Sequence, residues 1–159
     1  MNIKIQPLTK KDISKMAILA SQCFSGLKDK RKTRQWIICN FSGFPRAQYF
    51  VVKEKGAILG YILWLEKGGF RQEAVWELEQ IAVDPKYRGR GIATVLIEKS
   101  LVKIIEYLKK RGAKLKLVEV TTGTENQAQR LYQKTLDAQP EAVIKDFFRG
   151  DEVIMLARF

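Results

Sequence analysis

The chain has no histidine, only two cysteines and only four prolines among its 159 residues. Without histidine, neither a Ser-His-Asp nor a Cys-His nucleophile system can be built, and most transition-metal sites lose their commonest ligand. No metal site is therefore expected. Cys23 and Cys39 are too few for a disulfide framework or a zinc cage, and both lie in apolar stretches. They read as buried, reduced thiols. Long apolar runs are missing too: Ala57 to Leu65 is among the longest, far short of the roughly 20 residues a membrane span needs. The opening residues, MNIKIQPLTKKD, carry no apolar core followed by small residues, so no secretory signal and a cytoplasmic setting are expected. Repeats, low-complexity tracts and linkers rich in Pro, Gly or Ser are also absent, which predicts a single domain over 1–159.

What is present is basic. Lys and Arg number 29 against 17 Asp and Glu, a net charge of +12. Such a charge attracts anions, and nucleic acid, an acidic protein surface or a phosphorylated cofactor all fit it. A generally basic, solvated surface fits it equally. The cations are scattered through the chain and no nucleic-acid motif accompanies them, so nucleic acid is not the expected primary partner. Acid–base chemistry is left to carboxylates, Tyr, Lys, Cys or water.

The pattern along the chain predicts a first strand at 2–7, then a helix opened by a capping box of Thr9 and Asp12. Ile13, Met16, Ala17, Leu19 and Ala20 form its buried side. A second helix is expected from Asp29 to Asn40 with Trp36, Ile37 and Ile38 inward, ended by Ser-Gly-Phe-Pro at 42–45. Aromatic and β-branched strands follow at 48–54 and 57–65 about a Lys55-Gly56 turn, and a third at 73–83 after Gly68-Gly69. The helical stripe Ile92, Leu96, Ile97, Leu101, Ile104, Ile105 and Leu108 marks a long helix that Gly112 stops. A strand at 115–121, a helix at 125–136 and two strands about Gly150-Asp151 complete the order β-α-α-β-β-β-α-β-α-β-β. That order implies an α/β or α+β class: a mixed sheet of six to seven strands with helices on both faces.

The chemically informative stretch is 77–98, ELEQIAVDPKYRGRGIATVLIE. A strand ends at Val83, Asp84-Pro85 breaks it, and a basic glycine-containing loop leads into the long helix. Glycines let a backbone approach a ligand closely, and the first helical turn offers unpaired N–H donors at the positive end of its dipole. With Arg88 and Arg90 these make an anion site suited to a pyrophosphate. Spacing alone leaves open that the same residues form a basic turn capping a core helix. Neither the dinucleotide fingerprint nor the P-loop is matched: the third glycine of the first and the Gly-Lys-Ser/Thr of the second are missing.

Arg88-Gly89-Arg90-Gly91-Ile92-Ala93 resembles the Arg/Gln-x-x-Gly-x-Gly/Ala signature of the GNAT N-acetyltransferase superfamily, placed as there after a strand ending Ile81-Ala82-Val83-Asp84-Pro85. The element order resembles the GNAT fold across the whole chain. The resemblance implies an acetyl-coenzyme A-dependent N-acetyltransferase in which the backbone of Ile81, Ala82 and Val83 binds the pantetheine arm like an added strand. Arg88, Gly89, Arg90, Gly91, Ile92, Ala93 and Thr94 would then cradle the pyrophosphate, and a bulge would splay the strands 73–83 and 114–121 to admit the arm.

Transfer to an amine needs a base, because an amine with a pKa of roughly 10 is mostly protonated at neutral pH. Glu77 and Glu79 share one strand face. Glu77 matches the base position of histone-type members, and Glu119 on the neighbouring strand resembles the base of some N-terminal acetyltransferases. Each also reads as an exposed strand carboxylate or a partner for Lys or Arg. Tyr132, in NQAQRLY, resembles the tyrosine that serves as general acid to the departing thiolate; a core aromatic is its other reading. Asn126, the implied pantetheine contact, stands two residues before Ala128 where the family has three, and the usual Gly-Phe after the helix is replaced by Thr135-Leu136-Asp137-Ala138. The implied acceptor is an amine on a small molecule or on a protein lysine or N-terminus. The basic run Lys28–Arg34 would suit a carboxylate-bearing acceptor, or is simply a solvated helix face. A homodimer is compatible with the chain. The rival reading is a catalytically silent coenzyme A-binding module of the same fold.

Overall fold

A computed structural model describes residues 4–159. Of the strand expected at 2–7, residues 2 and 3 lie outside the described residues; Ile5–Pro7 forms β1. Thr9 and Asp12 make the reciprocal capping contacts. They open a short 3-10 turn that runs into α1, Ile13–Cys23, whose buried side is Ile13, Met16, Ala17, Leu19 and Ala20 as the spacing predicts. Next come α2 (Lys30–Ser42), β2 (Ala47–Glu54), β3 (Ala57–Lys67) and β4 (Glu73–Val83). The chain continues with α3 (Ile92–Lys110), β5 (Lys114–Gly123), α4 (Ala128–Leu136), β6 (Gln139–Ile144) and β7 (Glu152–Arg158). The seven strands form one mixed sheet in the order β1-β2-β3-β4-β5-β7-β6. β4 and β5 run parallel, whereas β1–β2, β5–β7 and β6–β7 run antiparallel.

Contacts divide the chain into two compact units. Among the described residues, the first holds 4–64 and 80–100. Its core comprises Met16, Ala20, Ile37, Val51, Ile62, Trp64, Leu96 and Ile97, each at most 1% exposed. The Trp64 indole N–H is satisfied there by Ser100 Oγ at 2.7 Å, as a buried donor requires. The second unit holds 65–79 and 101–159, with Ala74, Trp76, Ile104, Leu108, Val118 and Met155 fully buried. In it Glu66 is buried against Arg111, whose guanidinium also lies over the rings of Phe70 and Tyr107.

Five sequence expectations need correction. Trp36 is 45% exposed and Ile38 only half-buried, while Thr33 and Ile37 face inward. Successive helical residues turn by about 100°, so three in a row cannot share a face, whereas positions four apart can. Cys39 is exposed and Cys23 half-buried, not both buried. The helix expected from 125 begins at Ala128, because Asn126 makes a turn with Gly123 and its side chain accepts the Ala128 N–H. The final hairpin, expected from Ala142, starts earlier, at Gln139. Its connection is not a tight Gly150-Asp151 turn but the segment 145–151, tied by the Asp151 carboxylate, which accepts from Lys145 and the Asp146 N–H. The basic run does cover a solvated face at the start of α2, where Asp29 caps the helix by accepting from Arg31 and Lys32 N–H.

Candidate active site

In the first unit, β4 delivers Ile81, Ala82 and Val83 to a short turn over 85–87. Asp84 stabilises that turn by accepting the Lys86 N–H at 2.9 Å. Gly89 and Gly91 then adopt φ of +73° and +77°, a conformation that costs an L side chain roughly 1–2 kcal/mol. No heavy atom would lie within 4 Å of a Cβ at either position, so backbone conformation rather than crowding selects glycine. The first helical bond runs from Val95 N–H to Gly91 carbonyl at 3.0 Å. The N–H groups of Ile92, Ala93 and Thr94 therefore precede the helical ladder and point out of its positive end. Arg88 and Arg90 are exposed beside them; Arg90 lies 5.1 Å over the Tyr87 ring, and Arg88 Nε donates to the Val83 carbonyl at 3.2 Å. The Ile92 side chain itself is core, so it faces any ligand only through its backbone.

Two neighbours of this segment escaped the sequence reading. Gly60 lets β3 approach β4: a Cβ there would lie 2.8 Å from the Ala82 carbonyl and 3.2 Å from both Ile92 and Leu96. An isolated glycine inside a strand pattern was the available signal. Cys23 Sγ sits 3.7 Å from the Val83 carbonyl and 3.8 Å from Arg88. Burial pushes its thiol up and outweighs the opposing hydrogen bond from Arg88, so the thiol form is favoured.

In the second unit, alternation along β4 buries Ala74, Trp76 and Leu78 and leaves Glu77 and Glu79 half-buried on the other face. Register sets Glu77 opposite Glu119 on β5. Like charges directly opposite across strands repel. Lys67, the last residue of β3, answers them, its Nζ 3.1 Å from both Glu77 and Glu119. Burial works against the Lys67 ammonium, but the bonds and charges of the two carboxylates hold its pKa above the usual value. Among the described residues Glu79 has no such bond to a cation. Burial first, then the charge of Glu77 and a hydrogen bond with it, push the Glu79 pKa up to about 7, with Lys67 opposing. The structure thus brings Glu77, Glu79 and Glu119 together around one lysine that the sequence reading missed.

The parallel pairing of β4 with β5 ends at Glu77↔Glu119, although β5 runs on to Gly123 and β4 continues beyond Glu79. The register shifts earlier, where Ala74↔Leu115 gives way to Val75↔Leu117 and Lys116 is the extra residue. Tyr132 on α4 is 5% exposed, and burial pushes its phenol up to about 12. It is therefore neutral at physiological pH. The Asn126 amide is partly committed, donating to Thr122 Oγ1 at 2.9 Å and accepting the Ala128 N–H at 2.9 Å.

Comparison with known proteins bears on both units. The model of the acetyltransferase (GNAT) family matches residues 14–137. An uncharacterized N-acetyltransferase of Methanocaldococcus jannaschii is 31% identical over 153 residues, 91% of this chain; the chain spans 64% of that relative's length. Ard1 of Thermoplasma volcanium superposes with a TM-score of 0.75 at 16% identity, covering 99% of this chain and 98% of that one. The PaiA N-acetyltransferase of Thermoplasma acidophilum, solved with coenzyme A, gives 0.70 at 16% identity over the whole of both chains. At such identities the two structures speak for the fold.

Proposed function

The chain belongs to the acetyltransferase (GNAT) family, and from that premise we propose that it transfers the acetyl group of acetyl-coenzyme A to a primary amine. The observation that carries the reading is the loop at 88–94, where two left-handed glycines, two exposed arginines and three N–H groups ahead of the helical ladder follow one another in the chain. Such an array suits a pyrophosphate. The backbone of Ile81, Ala82 and Val83 would take the pantetheine arm, with Asn126 contributing its remaining amide hydrogen. The described residues contain no cluster of His, Cys, Asp and Glu fit for a metal, and the reaction as proposed needs none. No helix among them is long and apolar enough to cross a membrane. We take the chain to work as one acetyltransferase domain in the cytoplasm.

For the proton, Glu79 is the favoured base over Glu77 and Glu119. A general base works best with a pKa near the operating pH, and Glu79 is the carboxylate pushed to about 7. Glu79 takes a proton from the acceptor ammonium, directly or through water. The freed nitrogen bonds to the thioester carbon; as the carbon–sulfur bond breaks, Tyr132 gives its phenolic proton to the departing thiolate and the nitrogen's second proton passes through water to restore the phenol, leaving the amide, the thiol and protonated Glu79. A silent coenzyme A-binding module would need no carboxylate with a raised pKa, so Glu79 favours the enzyme.

Calorimetric titration tests the loop. Acetyl-coenzyme A should bind at micromolar concentrations and S-acetylpantetheine, which lacks the phosphates, far more weakly. Equal affinity for the two would remove the loop assignment.

A further inference from the structure

One cavity in the second unit has no role in the reading above. It measures about 580 Å³ and is lined by Lys67, Gly68, Arg71, Gln72, Glu73 and Val75 of β3, β4 and their turn, with Lys116 and Leu117 of β5. That volume suits a small molecule. It adjoins the carboxylates: Lys67 belongs to both, and Val75 and Leu117 stand two residues before Glu77 and Glu119 on their strands.

The charges of the two neighbours are opposite. The cluster holds three carboxylates and Lys67. The cavity lining holds Lys67, Arg71 and Lys116 against one carboxylate, Glu73. Lys67 is engaged by Glu77 and Glu119, and Lys116 by Glu73 at 3.4 Å. Arg71 differs: its Nε donates to the Gly68 carbonyl at 2.7 Å, but its terminal nitrogens meet no carboxylate among the described residues. The Nε bond ties the side chain to its own turn and leaves the edge formed by the terminal NH2 groups to donate to a carboxylate or phosphate.

Resting on the acetyltransferase reading, we propose that this cavity is the acceptor's distal subsite and that it selects a small primary amine carrying an anionic group at its far end. The ammonium end lies at Glu77 and Glu79 and the anionic end at Arg71, with Lys116 beside it. A diamine or polyamine would set its second cation against Arg71 and is disfavoured. The cations that matter come from the β3–β4 turn and β5, not from the basic face of α2.

The test compares three acceptors of one length: hexylamine, aminohexanoate and diaminohexane, each with saturating acetyl-coenzyme A. Aminohexanoate should show the highest kcat/KM and diaminohexane the lowest, with steps of about three- to tenfold, the scale of partly exposed charge pairs. Arg71→Glu should reverse the order, and Arg71→Gln, the milder change on an exposed turn, should flatten it. A wild type that treats the three alike or prefers the diamine overturns the subsite, as does an order unmoved by both variants. Transfer to none of them while acetyl-coenzyme A still binds also overturns it but leaves the proposed function standing. Failure to bind acetyl-coenzyme A would remove the proposed function itself.

Discussion

The loop at 88–94 and the cluster around Lys67 are built by opposite means. The loop is a backbone device: its donors are N–H groups, its shape comes from two glycines at positive φ, and its charge is positive. The cluster is a side-chain device: carboxylates from β4 and β5 are set side by side by strand register and held by one ammonium. A backbone site holds a ligand with little regard to which side chains flank it. A side-chain cluster can titrate. The loop is therefore suited to binding and the cluster to proton transfer, and substitutions in the two should fail differently.

The largest separation is expected from Glu79→Gln. Turnover should fall by about 10²- to 10⁴-fold, the usual range for a general base, while calorimetry finds acetyl-coenzyme A affinity nearly unchanged. Its stability should change with a definite sign. The folded pKa of about 7 lies above the ordinary 4.5, so the contribution of protonated Glu79 is present below the unfolded value and is lost as pH rises through about 7. Glu79→Gln should therefore melt higher than wild type above about pH 7, and this advantage should vanish in acid. A variant that lost both affinity and turnover would erase the distinction between the two regions.

Gly91→Val is the complementary case. Space is open around the position, so the damage should come from the left-handed backbone and from blocking the ligand's approach. Acetyl-coenzyme A affinity should drop by about tenfold or more, whereas the pH at which rate is half-maximal should stay put at saturating cofactor. Gly60→Ala acts one layer below. Its Cβ would sit 2.8 Å from the Ala82 carbonyl, and thermal melting should report a cost of about 1–3 kcal/mol. The smallest effect is expected from Lys67→Met. Because the Lys67 charge lowers the Glu79 pKa, removing it should move the pH–rate midpoint upward. A downward or absent shift would detach Lys67 from the titrating group.

The two regions also differed in how far the sequence disclosed them. The loop is contiguous, and a strand end, an Asp-Pro break, two glycines and a helical stripe fall within one stretch, so local rules sufficed. The order of strands and helices was legible for the same reason. The cluster was half legible: alternation puts Glu77 and Glu79 on one face, but only the β4–β5 register sets Glu119 against Glu77. Lys67 looks in sequence like the flank of a Gly-Gly turn, and its role depends on β3 running two residues past Leu65. Gly60 owes its importance to Ala82, Ile92 and Leu96, which no local pattern names. Trp36 reads as core by residue type, but helical phase sets it one position off the buried Thr33–Ile37 line.

The most direct test of the proposed function is the pH dependence of turnover at saturating acetyl-coenzyme A, in wild type and in Glu79→Gln. The wild-type rate should rise through about pH 7 as Glu79 ionises, and the variant should show a low, flat profile. The same rising limb in both proteins would contradict this and return the base to Glu77 or Glu119.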